Sequence, residues 1–268
     1  MTSVPDGLKE KSVSELFAQT LDGNYDDDAP WDAVSVLRLM GTPEVFQMAV
    51  EFCKSDNPLK RARAIDVLGQ LGRSGKGEGL YFDERVEIVL SHLSDKAERV
   101  VESAAWSLSH MRGEKAVNGL LSVRQSTNAH VRHAVAAGLL GETSPEAVEA
   151  LIALMRDVDD DVRDYATWSL GSEPINGTPV DSPAIRQAFR ERLTDTFEDA
   201  RLEAIWGLAI RKDPDGLKIL LERVEADEWA SGDQEAAAYL LGLPYDTPIE
   251  DLRDGVRKVL SEIICPKP

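Results

Sequence analysis

The stretch DVDDDVRDYATWSLG, residues 157–171, decides the fold. Its aspartates read as a turn, and the residues after Asp161 read as a helix. Ala166 and Leu170 are four residues apart, so they share one helical face. Trp168 falls between them and points elsewhere. The same pattern recurs in KRARAIDVLGQLG (60–72), VVESAAWSLSHM (100–111), VRHAVAAGLLG (131–141) and ARLEAIWGLAI (200–210). Weaker copies are PWDAVSVLRLMG (30–41) and DQEAAAYLLGL (233–243).

Aligned on the arginine of V-R, the anchor column holds Pro30, Arg61, Val101, Arg132, Arg163, Arg201 and Asp233. Three residues on come Ala33, Ala64, Ala104, Val135, Ala166, Ala204 and Ala236; seven on, leucine occurs every time, at 37, 68, 108, 139, 170, 208 and 240. Anchors 101, 132 and 163 set a base period of 31 residues. Two longer intervals contain the insertions RSGKGEGLYFD (73–83) and EPINGTPVDSP (173–183), both rich in turn residues. A second helix precedes each copy. Its start is marked by a cap and a proline at Thr42-Pro43, Ser144-Pro145, Ser182-Pro183, Asp213-Pro214 and Thr247-Pro248. Helix pairs repeated in this way imply an all-α chain. The expected fold is an α-solenoid, or superhelix, of about seven two-helix repeats and about fifteen helices. It forms one domain over residues 1–268, closed by a capping helix near 248–264. Alternating Val, Ile and Thr runs are missing, so strands have no support.

Composition narrows the function. The formal net charge of −18 repels phosphate, and KRAR (60–63) is the longest basic cluster. Nucleic acid and anionic membrane are therefore excluded as expected partners, whereas a basic protein is attracted. Cys53 and Cys265 read as buried reduced thiols. The polar start MTSVPDGLKEKS and the lack of an apolar run of about 18 residues imply a cytoplasmic protein. The motifs H-E-x-x-H, G-x-S-x-G, C-x-x-C and the phosphate-binding glycine loop are absent, so neither a cofactor nor an enzyme is expected.

V-R-x-x-A-x-x-x-L-G after an Asp-rich turn resembles the short bacterial HEAT-like repeats of PBS-lyase type, over roughly residues 25–245. The signatures of ankyrin and tetratricopeptide repeats are missing. MAVEFCKSD (48–56) and EDARLEAIWGLAIRKDP (198–214) are similar to segments of YibA-type proteins. That resemblance implies a HEAT-repeat protein encoded beside Rhs polymorphic-toxin elements and acting as an immunity factor. The wider family also contains bilin lyases and alkylpurine glycosylases. A lyase-like or glycosylase-like enzyme is thus the alternative, with Asp161 or Asp164 beside Trp168 as its acid.

Arg61, Arg132, Arg163 and Arg201 read as structural: the turn aspartates, Asp56, Asp157 or Asp160, and Asp195 or Asp199, with Asp95 and Asp227 in the same turn of other repeats, cap the helices and pair with arginine within and between repeats. DVDDD lacks the glycine and closing glutamate of a calcium loop, so no metal is expected there. The column five residues past the anchor lies near 140°, opposite the Ala/Leu face. It reads Ser35, Asp66, Trp106, Ala137, Trp168, Trp206 and Ala238, and holds three of the chain's five tryptophans. Two readings stay open. Each indole folds over the small residues Gly138, Ser169 and Gly207 of the adjacent helix, or the three line a concave groove with roughly 450–750 Å² of aromatic surface. Flanking positions supply Glu102, His133, Asp161, Asp164 and Asp199, with His110 one turn past Trp106. The groove reading gives an acidic, Trp-bearing surface that holds a protein partner, one that is basic, by a monomeric binding protein.

Overall fold

The computed structural model describes residues 7–73, 79–171, 179–226 and 231–265. Fifteen α-helices and no strand occur among them. The chain divides into two compact units, residues 1–138 and 139–268. The first contains α1 (Val13–Gln19), α2 (Asp28–Met40), α3 (Pro43–Cys53), α4 (Pro58–Gly69), α5 (Phe82–Ser91), α6 (Glu98–Ser109), α7 (Glu114–Ser122) and α8 (Ala129–Gly138). The second contains α9 (Pro145–Leu154), α10 (Asp160–Gly171), α11 (Pro183–Arg192), α12 (Glu198–Ile210), α13 (Pro214–Glu225), α14 (Ser231–Leu241) and α15 (Ile249–Ile264). All seven anchors fall on or at the start of even-numbered helices, so each repeat is an odd helix followed by an even one: the α-solenoid class.

The odd helices start where cap and proline coincide. Thr42, Ser144 and Ser182 accept the N–H of Val45, Ala147 and Ile185, and α13 starts at Pro214. At 247–248 the helix begins one residue later: Pro248 is the cap, and the Thr247 hydroxyl donates to the Pro244 carbonyl. Of the insertions, residues 74–78 and 172–178 lie outside the described residues. The first ends sooner than the sequence implies, because Phe82 and Asp83 already belong to α5.

The repeated Ala/Leu face is the core. Ala33, Ala64, Ala104, Val135, Ala166 and Ala204 are fully buried, as are Leu37, Leu68, Leu108, Leu139 and Leu208. The terminal Leu240 is half-buried. In the first unit α4 packs on α6 and α6 on α8; in the second α10 packs on α12 and α12 on α14. The expected capping helix is α15, which inserts Leu252 and Val256 beside Leu217 and Leu220.

The anchor arginines tie their own turns, and two of them, Arg61 and Arg163, also join one repeat to the next. Nη1 donates to the carbonyl six residues upstream: Arg61 to Ser55 (2.8 Å), Arg132 to Ser126 (2.8 Å), Arg163 to Asp157 (3.0 Å) and Arg201 to Asp195 (2.6 Å). This ties the turn before each even helix. For Arg61 and Arg163 the carboxylate partner comes from the following repeat, so of the expected pairings within and between repeats it is the one between repeats that forks onto the guanidinium, and Asp95 rather than Asp56 serves Arg61. Asp227 lies outside the described residues. Arg61 forks onto Asp95 at 2.8 and 2.8 Å, and Arg163 onto Asp195 at 2.9 and 2.9 Å. Asp160 adds a second acid to Arg163 at 2.5 Å, as expected. Asp56 gives Arg61 only its carbonyl, and Arg201 reaches the Asp195 and Thr196 carbonyls rather than the Asp199 carboxylate. Geometry explains the change. Each receiving aspartate also accepts the N–H two residues on, Ala97 or Phe197, so its position is set by its own turn. Of the cysteines, Cys53 is buried and Cys265, at the end of α15, is exposed.

Candidate functional site

The nine expected contact residues separate into two groups, one per unit. In the first, Trp106 of α6 lies half-buried beside a cavity of about 300 Å³ that Glu102 and His110 also line. His133 of α8 meets the Trp106 ring edge-on at 5.0 Å. The floor is a polar network that sequence reasoning did not assemble. Tyr25 donates to the Asp66 carboxylate at 2.5 Å and meets the Ser103 hydroxyl at 2.8 Å. Arg63 stands 3.6 Å from Asp66. Burial still raises the Asp66 pKa against these partners. Arg38 and Arg99 also line the cavity, and Arg99 pairs with Glu102 at 2.8 Å. This pocket therefore mixes charges.

The second group is acidic. Trp168 of α10 is exposed (37%) and touches Tyr165 edge-on at 5.7 Å. Trp206 of α12 is half-buried. Its ring covers Gly232, where any side chain would collide with the indole, and its Nε1–H donates to Asp233 at 2.8 Å. The two tryptophans line a cavity of about 280 Å³ together with Glu203, Glu235, Tyr239 and Tyr245. Asp164, Tyr165, Trp168 and Glu203 border an adjoining hollow of about 220 Å³. Burial pushes the Asp164 carboxyl up to about 6, helped by the charges of Asp199 and Asp161. Burial pushes Glu203 up to about 8, followed by the charges of Asp164, Asp199 and Glu235. Asp161 and Asp199 themselves are exposed.

The tryptophan column is thus not uniform. Trp168 is the open one, and Trp206 packs onto α14. Asp66 and Ala238, which share the column, are buried. Tyr25 and Ser103 close over Asp66, and Ala238 joins the core that α15 completes. Two of the three small residues expected to receive indoles face other groups instead. Gly138 abuts Leu120 and Ser109, and Gly207 abuts the Phe189 ring. Glu203 and Glu235 were missed because they sit two residues past the anchor, near 200°, only about 60° from the tryptophan column. A wider sector of the helical wheel includes both. No group of three or more His, Cys, Asp or Glu among the described residues is placed to hold a metal.

Tandem helix pairs with this buried Ala/Leu face and this arginine linkage define a HEAT-repeat protein. The family model for HEAT repeats matches residues 148–242. Protein YibA of Escherichia coli (strain K12) is 30% identical over 213 residues, 76% of this chain and 72% of YibA. The chain belongs to the HEAT-repeat family that includes YibA. The X-ray structure of E. coli YibA superposes with a TM-score of 0.72 at 25% identity, covering 95% of this chain and 94% of that one. Kap95p, solved with RanGDP, shares the fold with a TM-score of 0.62 at 17% identity, over 96% of this chain and 39% of its own. The archaeal HEAT-like repeats protein from Thermococcus onnurineus NA1 does so at 0.53 and 17%, over 94% and 99%.

Proposed function

We propose that this chain is a non-catalytic binding protein that holds one basic protein partner. The contact surface is the acidic, Trp-bearing face of residues 139–268, and the aromatic pocket beside Trp106 supplies a second contact. The observation that carries the reading is the cluster of Asp161, Asp164, Asp199, Glu203 and Glu235 around Trp168 and Trp206. It has exposed carboxylates at the rim, an indole at its centre, and two acids whose pKa burial and neighbouring carboxylates raise. A complementary rim speeds encounter, and a buried aromatic slows release. In its sharper form the protein is a cytoplasmic, monomeric immunity protein or inhibitor that neutralises a basic toxin. This form rests on the likeness to YibA-type proteins and on the charge of −18.

The test is affinity purification from the native cell with three baits: wild type, Trp168→Ala, and the Asp161→Asn/Asp199→Asn double variant. These residues are exposed, so the variants keep the fold. A basic protein recovered by wild type and lost with both variants is expected. Equal recovery by all three removes the surface from the function.

A second reading, a lyase-like or glycosylase-like enzyme, is favoured by the same two raised acids beside a cavity. Against it, Glu203 has no hydrogen-bonding group among the described residues to orient it for proton transfer. Turnover of alkylated DNA, or bilin attachment to a phycobiliprotein, that disappears in Glu203→Gln and Asp164→Asn would reverse the order of the two readings.

A further inference from the structure

We propose that the cavity walled by Trp168, Trp206, Tyr239 and Tyr245 is a socket for a single lysine or arginine side chain, with the Glu203 carboxylate as its counter-ion. This deepens the reading of a basic partner and rests on it.

Buried acids in this unit are matched by cations, and the half-buried Glu203 is not. Among the described residues, its three buried aspartates all have arginines. Asp195 has Arg163 and Arg192, Asp213 has Arg186 and Arg190, and Asp233 has Arg223. Glu203 breaks the rule. Among the described residues it makes no hydrogen bond or ion pair, and the charged groups acting on it are all acids: Asp164 on α10, Asp199 on α12 and Glu235 on α14. Asp161, also on α10, bears on Asp164 in turn. One Asp164 oxygen is likewise buried without a hydrogen bond. The arrangement lacks one positive charge.

The walls choose which cation supplies it. Calcium and magnesium take six or more oxygens at short range, and zinc four ligands from His, Cys, Asp or Glu; no group of three or more such residues placed for a metal occurs among the described residues. The cavity is instead lined with two indoles and two phenol rings. An ammonium or guanidinium over an indole face is attracted by the ring, most strongly where water is excluded. At about 280 Å³, the space holds roughly nine waters, enough for one long side chain and too little for a folded segment. One wall is fixed in advance. Trp206 is held by Asp233, and Asp233 by Arg223 at 2.9 Å, so occupancy orders little that is not already ordered.

The socket couples to protons. Empty, Glu203 is largely protonated at pH 7. An inserted cation favours its ionised form, so binding expels a proton and tightens as pH rises from about 6 to 8.

The test uses the full chain and two probes. Acetyl-Gly-Arg-Gly-amide reports the socket alone, and deca-arginine reports attraction of any basic chain. Binding is followed by the indole N–H resonances and by calorimetry at pH 7 in buffers of different ionisation enthalpy. The tripeptide is expected to shift the Trp168 and Trp206 signals and to release a proton. Its affinity should fall at least tenfold in Glu203→Gln and in Trp168→Leu. Deca-arginine should still bind Glu203→Gln, without proton release. If the tripeptide leaves both signals unmoved, or Glu203→Gln binds it as wild type does, the socket is wrong, and continued deca-arginine binding preserves the basic-partner reading. Failure of deca-arginine to bind wild type overturns both.

Discussion

Arg163 and Asp195 show what one residue pair does in this fold. The guanidinium ties its own turn through the Asp157 carbonyl and the next repeat through a two-point ion pair. Both partners are less than a tenth exposed. Breaking such a pair strands a buried charge, so Asp195→Ala should cost about 3 kcal/mol in urea unfolding. Asp95→Ala, whose partner Arg61 is more open to solvent, should cost about 1 kcal/mol. A smaller loss for Asp195 than for Asp95 would sink this ranking. The pH dependence has a definite sign. Burial alone raises Asp195, but the hydrogen bonds of Arg163 and the Phe197 N–H, with the charges of Arg163 and Arg192, hold it down at about 2. A carboxylate depressed on folding stabilises above its ordinary value near 3.8 and loses that contribution as pH falls toward 2. Wild type should therefore lose about 2 kcal/mol more than Asp195→Asn between pH 5 and 2. The anchor arginines were legible as a column. Pairing between repeats was legible too, but not which aspartate each arginine reaches, because a carboxylate one repeat away is a neighbour only after the helices stack.

At the scale of elements, the final glycine of V-R-x-x-A-x-x-x-L-G sets helix spacing. A Cβ on Gly69 would lie 2.9 Å from the Ser107 Cα, where α4 meets α6. The Ser107 hydroxyl donates to the Ile65 carbonyl at 2.9 Å, which holds the two helices at that distance. Alanine favours helix by ~1 kcal/mol over glycine in open surroundings. Here Gly69→Ala should instead destabilise by about 1–3 kcal/mol, through forced separation of the two helices. Thermal unfolding of the variant checks this, and an unchanged or raised Tm would show that the helices have room to part. Helix starts were readable because a cap and a proline act within one turn. The open or packed state of each tryptophan was not, because it depends on which element lies opposite. Trp206 meets the bare backbone of Gly232 on α14, whereas Trp168, edge-on to Tyr165, stays 37% exposed.

For the whole molecule, the dominant quantity is the charge of −18. Much of the positive charge in residues 139–268 is committed to internal pairs, as with Arg163, Arg186, Arg190, Arg192 and Arg223. Asp161 and Asp199 remain open to a partner. Long-range attraction of this kind acts on encounter and is screened by salt, over about 8 Å at physiological ionic strength. The association rate with a basic partner should fall about tenfold or more between 50 and 500 mM NaCl, while dissociation changes far less. Stopped-flow measurement of both rates decides it. A change confined to dissociation would mean that the acidic surface plays no part in capture.

The sequence alone determined the repeat, its 31-residue period, the all-helical class and the buried Ala/Leu face. These rest on spacing along one helix, and 3.6 residues per turn converts spacing into direction without knowledge of the neighbours. It also placed Trp168, Asp161, Asp164 and Asp199 on one flank. Only the tertiary structure decided that Glu203, without a cation, completes this group, that Trp206 is a wall and Trp168 the open face, and that Arg61 and Arg163 fork onto Asp95 and Asp195. Those facts depend on distances between helices that the sequence separates by more than twenty-five residues. Burial and charge at such points are set jointly by every element that meets there, and no single helical wheel contains that sum.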